Sequence, residues 1–426
     1  MASPVNPPRG MRDFLPADKA HREHVLSVIR DSYRAHGFDE IETPVVEDSA
    51  RLHSGLGGDN EKLAFAVMKR ALTTDDLREA ADPLALADLG LRFDLTVPLA
   101  RFYASHRAEL PTVFRAIQIA PVWRAERPQK GRYRQFVQCD IDIIGEAGPV
   151  AEVELITATV ATLEALGVSG ASIRINDRRI LTSMLGIFGF PAAAHDSVLI
   201  TVDKLDKLGV AGVIAELRSK EIAPTAVDAL ESFLLSTQDA ATSAFGEAGI
   251  RASTPEGTDE QAIAELAAIG DAVNTVYGSE VVTFDPWLVR GMGYYTGTIF
   301  EVAHPEFGYS LGGGGRYDGM IGRFLGTEVP AAGFSLGFER LIDAVHVADS
   351  TGTDATALVH DADVPLAQLA ALQKQLIGGG SRVRLERKPR NLAPLLGQLK
   401  ASGFTRYAYV TAGTTDASAL EYRPLE

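Results

Sequence analysis

Cysteine is almost missing from this sequence of 426 residues, which contains Cys139 alone. A single thiol excludes an internal disulfide framework and a cysteine-based zinc cluster, and such scarcity is typical of a reducing compartment. Long apolar runs are missing too, since none approaches the roughly 18 residues that cross a bilayer. The sequence therefore predicts no membrane partner, and we expect Cys139 to be a buried small side chain rather than a catalytic thiol.

A secretory signal and an excess of positive charge are also missing. The first residues, MASPVNPPRGMRDFLP, lack the basic start and apolar stretch of such a signal, so we expect a cytoplasmic protein. The formal net charge of −15 argues against a nonspecific nucleic-acid binder, which needs clustered lysine and arginine. Basic residues nevertheless cluster in residues 124–134 and 382–406, so a local contact with nucleic acid stays open.

Helix and strand patterns are clear in the first 180 residues. Apolar spacing predicts a helix from Pro16 to about Ala35, ended by His36 and Gly37. The segment FDEIETPVVED alternates apolar and polar residues around Pro44, which is typical of an edge or interface strand. LGLRFDLTVP predicts another strand, and TVFRAIQIAPVWR with RQFVQCDIDIIGE predicts an antiparallel pair around a charged turn. A helix from Ala151 to about Leu166 and the strand IRIND follow.

The rest of the chain divides by pattern into three parts. Residues 178–279 are alanine-rich and predict an inserted helical domain, after which VVTFDPWLVRGMGYYTGTIFEVAH predicts a strand paired with YSLGGGGRYDG. A helix is predicted from near Gly337. Beyond the linker candidate VADSTGTDA, strands and helices alternate, which favours a small parallel α/β domain. The predicted domains are a catalytic domain of residues 1–177 and 280–347, the insertion, and a terminal domain of residues 354–426.

A basic turn lies between the two strands of the predicted antiparallel pair. Such a turn is able to aim guanidinium groups at a polyphosphate while an aromatic ring, here Phe136, stacks on a base. A solvated basic hairpin is the alternative when this segment is considered alone. The cationic residues of the turn are Arg124, Arg127, Lys130, Arg132 and Arg134, with the acid Glu126 among them.

Arg340 lies in GFSLGFERL, in the first turn or two of an apolar helix, where a lone arginine is usually a surface residue. An arginine on a strand before a basic turn, followed much later by a G-F-x-R helix, resembles the second and third signature motifs of class II aminoacyl-tRNA synthetases. The segment around Pro44 resembles the first motif, a strand after a long helix that forms the dimer interface in that class. The resemblance covers residues 8 to 345 and implies a homodimer.

Two further segments narrow the resemblance to one family. LVRGMGYYTGTIFE and SLGGGGRYDGM resemble the two histidine-specific motifs of histidyl-tRNA synthetases, although that family often has an aspartate where Gly293 stands here. The implied fold is α+β: an antiparallel sheet of six or seven strands with flanking helices, an inserted helical domain and a small C-terminal α/β domain. The implied function is activation of L-histidine with ATP and transfer to tRNA(His).

The resemblance also implies roles in the chemistry of ATP. Arg124 is implied to contact the α-phosphate and the substrate carboxylate, Arg290 to face the α-phosphate, and Arg340 to clamp the distal end of ATP. Adenylation suits these catalytic arginines, because negative charge builds on the equatorial oxygens during attack at the α-phosphorus. Mg²⁺ is expected to bridge the phosphates, with Glu126 and Glu301 as implied ligands. The other implied ATP contacts are Arg132, Tyr133 and Phe136, the last by stacking on adenine.

Recognition of histidine needs a polar pocket, because neutral imidazole offers one donor and one acceptor. In the family pattern Asp142 and Tyr295 hold the ring. The other implied histidine contacts are Asp94, Thr96 and Gln138 at the ammonium and carboxylate, with Arg124, Arg290, Tyr294 and Tyr317 around them. The alternative is that Asp94 and Asp142 are structural acids, but an inward carboxylate in such apolar strands needs a partner.

For the transfer step, Arg127 and Gln129 match family positions that touch the acceptor end of tRNA(His), including its additional 5′ guanylate. The terminal α/β unit resembles a shortened form of the family's anticodon-binding domain, and Arg387 and Arg390 are the implied tRNA contacts there. A solvated charged face is the alternative. The basic residues of this region are Arg382, Arg384, Arg387, Lys388 and Arg390.

Two other functions stay open at this point. The ATP phosphoribosyltransferase regulatory subunit shares this catalytic fold without the activity, although such sensors characteristically lose the third motif and the terminal domain. An adenylating enzyme that passes histidine to an acceptor other than tRNA fits the shortened tail and Gly293. Pyrophosphate exchange driven by histidine separates enzyme from sensor, and charging of tRNA separates the two enzymes.

Overall fold

The computed structural model describes residues 5–53, 62–129, 131–220, 222–237, 245–290, 294–345 and 354–425. The chain forms two compact units, Met1–Arg12 with Ser27–His346, and Asp13–Leu26 with Val347–Glu426. None of the helices in the described ranges combines the length and apolarity that crossing a lipid bilayer requires. Most of the predicted linker lies outside the described residues, as do Lys130 and Gly293.

The first elements follow the apolar patterns closely, and α1 has the bounds that the spacing predicted. Up to the insertion the elements are α1 (Pro16–Ala35), β1 (Asp39–Glu40), β2 (Val46–Asp48), α2 (Ser49–Leu52), β3 (Phe65–Met68), α3 (Thr74–Glu79), β4 (Ala87–Leu91), α4 (Thr96–His106), β5 (Phe114–Trp123), β6 (Gln135–Ile144), α5 (Val150–Ala165) and β7 (Ser172–Asp177).

The insertion is helical in its described part, and the chain then returns to strands. The helices are α6 (Arg178–Ile187), α7 (His195–Val202), α8 (Leu205–Arg218), α9 (Pro224–Thr237), α10 (Glu247–Ala252) and α11 (Glu260–Tyr277). After them come β8 (Val282–Phe284), β9 (Thr298–His304), β10 (Phe307–Arg316), α12 (Asp318–Leu325), β11 (Ala331–Gly337) and α13 (Phe338–Leu341). The helix predicted near Gly337 is therefore a single α-helical turn, followed directly by a 3₁₀ turn at Ile342–Ala344.

The main sheet has the strand order β1-β5-β6-β11-β10-β9-β7-β8. The six strands from β5 to β7 are antiparallel throughout, as predicted. At the two edges, β1 pairs in parallel with β5 and β8 in parallel with β7. The described sheet is therefore mixed and has eight strands, where six or seven were expected. The two edge strands are only two and three residues long, and each lies within a longer segment that was predicted as one strand.

Three predicted strands are interrupted. The segment VVTFDPWLVRGMGYYTGTIFEVAH forms β8 and β9 as separate strands, with β7 between them in the sheet. Pro44 separates β1, in the main sheet, from β2, which pairs with β4 in a three-stranded sheet. Proline has no backbone N–H to donate to a ladder, so the change of sheet at this point has a local cause. The segment LGLRFDLTVP leaves the strand after Leu91, and Thr96 begins α4. Asp94 lies in the turn between them and accepts a hydrogen bond from the backbone N of Val97 at 3.2 Å.

The inserted helices share their hydrophobic core with the sheet portion of the same unit. Leu181, Val213 and Leu230 of the insertion belong to one buried cluster with Phe93 and Tyr295. Each Å² of apolar surface buried in this shared cluster stabilises by roughly 25 cal/mol, so the cluster holds the insertion against the sheet. Polar residues of the insertion are therefore able to take fixed positions beside the sheet.

The second unit contains the α/β pattern expected of the terminal domain. Its elements are β12 (Ala355–His360), α14 (Leu366–Gly378), β13 (Arg382–Arg387), α15 (Ala393–Ala401), β14 (Arg406–Val410) and β15 (Tyr422–Pro424). The strand order is β13-β12-β14-β15, with the first three parallel and β15 antiparallel to β14. The short β15 was not predicted. Successive residues of β12, such as Ala357 and Leu358, are buried on opposite faces of this sheet.

Candidate active site

A cleft of about 710 Å³ collects the chemistry-bearing residues of the first unit. Every residue predicted to contact histidine or ATP lines it, although these residues come from segments up to 246 positions apart, from Asp94 to Arg340. Gln129 also lines the cleft, whereas Arg127 is exposed on the turn and does not. Arg387 and Arg390 belong to the second unit, where both are exposed.

Strand β6 supplies one polar face to the cleft. Because side chains alternate along a strand, Gln138, Asp140 and Asp142 share a face and line the cleft. Cys139 and Ile141, on the opposite face, are fully buried. Cys139 is thus the buried small side chain that was expected.

Three arginines, which we call the arginine group, each donate at least one hydrogen bond to an oxygen of the protein. The Nε atom of Arg124 donates to the carbonyl oxygen of Phe93 at 2.9 Å, and Nη1 of Arg290 donates to Oε2 of Glu301 at 2.7 Å. Arg340 donates from Nε to the Gly131 carbonyl at 3.1 Å and from Nη1 to the Ser310 carbonyl at 2.9 Å. A guanidinium has five N–H donors, so these bonds with described residues use only part of each group.

The arginine group stays cationic in spite of its burial. Burial lowers the pKa of Arg124, which the nearby Asp94 and Glu126 partly offset, and burial with repulsion from Arg132 lowers the pKa of Arg340. Burial also opposes the charge on Arg290, but Tyr295 and Glu301 raise its pKa overall. Since an arginine pKa starts above 12, all three remain protonated at neutral pH.

Three aspartates, which we call the carboxylate group, lie in the same cleft under the opposite constraint. Asp94, Asp140 and Asp142 are at most 4% exposed. The hydroxyl of Tyr317 donates to Oδ1 of Asp142 at 2.5 Å. Burial raises the pKa of Asp142 to about 7, with Asp94 adding to the increase and the Tyr317 hydrogen bond opposing it. Burial and the neighbouring Asp142 also raise the pKa of Asp140 well above its usual range.

Gln138 is oriented by its neighbours on two strands. Its Nε2 donates to Oγ of Ser335 at 3.0 Å and to Oδ2 of Asp140 at 3.2 Å. Its Oε1 is buried and accepts no hydrogen bond from any described residue. A buried acceptor without a partner costs about 1–3 kcal/mol, so this oxygen is prepared for a donor that the protein itself does not provide.

Glycines form the part of the cleft wall that approaches the charged groups most closely. A Cβ on Gly313 would lie 2.7 Å from Cζ of Arg290 and 2.8 Å from the carbonyl oxygen of Phe300. A Cβ on Gly333 would collide with the carboxylate of Asp142. The glycine run of β10 and the glycine of β11 therefore leave room for one member of each group.

Four polar residues of this region were missed in the sequence. Asp140 and Ser335 line the cleft, as does Asp203 from the end of α7, while Arg174 of β7 contacts Glu301 behind it. The alternation of QCDID would have placed Asp140 beside its neighbours on β6. Ser335, Asp203 and Arg174 had no such signal, because only tertiary contacts bring the first two to the cleft and the third to Glu301.

The fold and site are those of a class II aminoacyl-tRNA synthetase. The inner strands of the main sheet are antiparallel, Arg124 follows β5, and Arg340 lies on α13. The solved structure of a histidyl-tRNA synthetase from Nostoc sp. PCC 7120 superposes with a TM-score of 0.75 at 24% identity, over 100% of this chain and 95% of that one. An ATP phosphoribosyltransferase regulatory subunit/histidyl-tRNA synthetase from Bacillus halodurans gives 0.75 at 22% identity, over 96% and 99%. At such identities these two likenesses support the fold alone.

Sequence comparison narrows the class to a family. A family model described as histidyl-tRNA synthetase matches residues 10–341. A histidine–tRNA ligase from Leifsonia xyli is 59% identical over 100% of this chain and 99% of its own length. A probable histidine–tRNA ligase from Tropheryma whipplei is 43% identical over 95% and 96%.

The chain belongs to the histidyl-tRNA synthetase family. Its function is that of a histidine–tRNA ligase, an ATP-dependent aminoacyl-tRNA ligase whose substrates are ATP, histidine and tRNA(His). The full-length match to a ligase does not favour the regulatory-subunit alternative.

Proposed function

We propose that the cleft of the first unit carries out histidine adenylation with the residues of the arginine and carboxylate groups. The observation that supports this most directly is that Arg124, Arg290 and Arg340 line the same cleft as Asp142 and Gln138. A phosphate-binding group and an imidazole-binding group are then within one cavity, which is what joining an amino acid to a nucleotide requires.

The arginine group acts on the nucleotide in this proposal. A carboxylate oxygen of histidine attacks the α-phosphorus, a new P–O bond forms, and the bond to the β-phosphate oxygen breaks to release pyrophosphate. Negative charge grows on the α-phosphate oxygens during this step, and guanidinium groups already in place stabilise it without reorganising. Arg124 and Arg290 serve the α-phosphate, Arg340 the distal phosphates, and Phe136 the adenine.

Residues of the carboxylate group, together with their neighbours in the cleft, bind the amino acid in this proposal. Asp142 accepts the imidazole N–H, with Tyr295 and Tyr317 around the ring. The α-ammonium of histidine is the donor that the buried Oε1 of Gln138 needs, with Asp94 and Thr96 beside it. A pocket built of such hydrogen bonds rejects analogues that lack them by as much as ~10⁴-fold, because buried polar groups are then left unpaired.

Mg²⁺ fits the cleft only in part. No cluster of three or more histidine, cysteine or carboxylate side chains within the described residues is placed to hold a metal by itself. One oxygen of Glu301 accepts from Arg290 and the other from Arg174, whereas Glu126 pairs, among the described residues, with the exposed Arg132 at 3.3 Å. Glu126 would therefore hold Mg²⁺ together with the ATP phosphates, Glu301 would be the less suitable ligand, and the ion would supply charge to neutralise the phosphates.

Binding of tRNA uses two separate parts of the chain in our proposal. Arg127 and Gln129 are exposed on the turn after β5 and suit the acceptor end. In the second unit, Arg387 ends the edge strand β13 and Arg390 follows it; both are exposed and form no ion pair with any described residue. By contrast, Arg382 and Arg384 lie against the ring of Phe404 at 4.6 and 4.7 Å, which leaves them less free to bind phosphate.

We further propose a cytoplasmic homodimer with the four-part division predicted from the sequence, residues 1–177, 178–279, 280–347 and 354–426. Support for the dimer comes from the segment around Pro44, where β1 is a short sheet edge and Val45 and Val46 are exposed at 42% and 38%. Exposed apolar side chains beside a sheet edge favour association.

Histidine-dependent exchange of pyrophosphate into ATP and charging of a tRNA(His) transcript test these roles together. Arg387→Ala with Arg390→Ala should leave exchange unchanged and raise the tRNA KM about tenfold, since each phosphate contact adds an electrostatic increment. Lys400→Ala, a single exposed cation of the same unit, is the control. Loss of exchange in the double variant would contradict the separation of the two sites.

A further inference from the structure

Behind Arg290 lies a chain of ion pairs that ends in the inserted helices. Arg290 donates to Oε2 of Glu301 at 2.7 Å, and the other oxygen of Glu301 accepts from Nη2 of Arg174. Arg174 also pairs with Asp285 at 2.9 Å and with Asp206 of α8 at 3.4 Å. One guanidinium thus joins carboxylates that follow β8, lie on β9 and begin α8.

Glu301 is held on both sides by this arrangement. Its side chain is 14% exposed, and a carboxylate at that depth needs both oxygens satisfied. With Arg174 on one oxygen, the other can face only in the direction of Arg290. The planar fork of an arginine fixes direction as well as charge, which a lysine does not.

Arg290 depends on this support because little else fixes it. Among the described residues its side chain has one hydrogen bond, the one to Glu301. The guanidinium lies against the bare backbone of Gly313, where a Cβ would come within 2.7 Å of its Cζ, so no side chain at that position binds it. The insertion adds Asp203, which lines the cleft and attracts Arg290.

We propose that Arg174 is a positioning residue for adenylation, which through Glu301 holds Arg290 toward the α-phosphate and which Asp206 ties to the inserted helices. This inference rests on the proposed role of Arg290. It gives the insertion a part in the first reaction step that does not require contact with tRNA.

The test is a double-mutant cycle measured by histidine-dependent pyrophosphate exchange, with kcat normalised to the fraction of active sites. Arg174→Met in the wild-type background should lower kcat about tenfold with the KM for histidine little changed, because only the aim of Arg290 is lost. In an Arg290→Ala background the same substitution should change kcat by less than about twofold, because no guanidinium is left to position.

Arg115→Met is the matched control. Arg115 lies on β5 of the same sheet, pairs with Glu154 of α5 at 2.6 Å, has a similar exposure of 30%, and does not line the cleft. It should leave kcat unchanged in both backgrounds. If Arg174→Met does not fold, Arg174→Lys replaces it, with the same pattern and a loss of about threefold.

Each remaining outcome decides the matter. An equal loss in both backgrounds, or no loss in either, would overturn the positioning role while leaving the proposed function intact. Wild-type protein without any exchange would overturn both.

Discussion

The arginine group and the carboxylate group face the same cleft but are prepared in opposite ways. Arg124, Arg290 and Arg340 are anchored by carbonyl or carboxylate oxygens and keep their charge when buried. Asp140 and Asp142, by contrast, are crowded into a site that favours their protonated forms. In the proposed roles, the arginine group is charged before any substrate binds, whereas the carboxylate group becomes charged when a ligand supplies a hydrogen-bond donor.

The largest effect is expected from a substitution in the arginine group. Arg290→Ala should lower kcat for pyrophosphate exchange by about 10²- to 10³-fold, since a preplaced donor to developing charge is lost. The free energy of unfolding should change by only about 1 kcal/mol, because Glu301 keeps Arg174 as its partner. Denaturant unfolding measured beside the exchange assay checks both numbers, and unchanged exchange kinetics would contradict the assignment of Arg290.

The next-largest effect concerns the carboxylate group and is measured as a change in the free energy of unfolding. Folded protein holds a proton on Asp142 up to about pH 7, while the unfolded chain releases it near its ordinary value of 3.8. Stability from this group is therefore present at low pH and is lost as pH rises through 7. Between pH 5 and 8, the ligand-free enzyme should lose about 2–3 kcal/mol more of its unfolding free energy than Asp142→Asn. Parallel curves for the two proteins would show that Asp142 is not strained.

A third substitution tests whether the space beside Arg290 is needed. Gly313→Ala places a methyl group 2.7 Å from the guanidinium carbon and 2.8 Å from a backbone oxygen that cannot move away. Overpacking of this kind costs about 1–3 kcal/mol, and kcat for exchange should fall about 10- to 100-fold. Gly308→Ala, early in the same strand, is the control, because a Cβ there meets nothing within 4 Å. Equal kinetics for both variants would argue against the close fit.

The smallest effect is expected at the hydroxyl of Tyr317. Tyr317→Phe removes one neutral donor to Asp142 and leaves the ring in place. The KM for histidine should rise about 3- to 10-fold with kcat nearly constant, which matches the loss of one hydrogen bond of 0.5–1.5 kcal/mol. Steady-state exchange kinetics at varied histidine give both values. A fall in kcat with no change in KM would assign the hydroxyl to the reaction rather than to binding.

Local patterns were enough to predict what depends on neighbours in sequence. The alternation of β5 and β6, the pairing of β9 with β10, and the bounds of α1 all follow from periodicity. Pro44 was noticed as an interruption, but the sequence does not say that the strand beyond it joins another sheet. Elements of two to four residues, such as β1, β8 and α13, were predicted only as parts of longer segments, because so few residues carry too little periodicity to fix their own bounds.

The candidate site could be predicted mainly through the family resemblance, and the limits of that route are physical. Arg174 lies 127 positions from Glu301, and in the strand IRIND a charged residue indicates only a solvent-facing position. That Glu301 is shared between two arginines, and so fits Mg²⁺ poorly as a direct ligand, depends on β7, β9 and the segment after β8 meeting. Asp140 is the exception, since its spacing on β6 was available in the sequence.

The bare backbone at Gly313 and Gly333 also sets a direction for change. A wall without side chains has nothing left to remove, so mutation at these positions makes the cavity smaller and never larger. To enlarge the cleft for a bulkier amino acid, large side chains such as Tyr295 and Tyr317, which are proposed to surround the imidazole ring, would be replaced by smaller ones. Redesign of this pocket is thereby confined to its aromatic side.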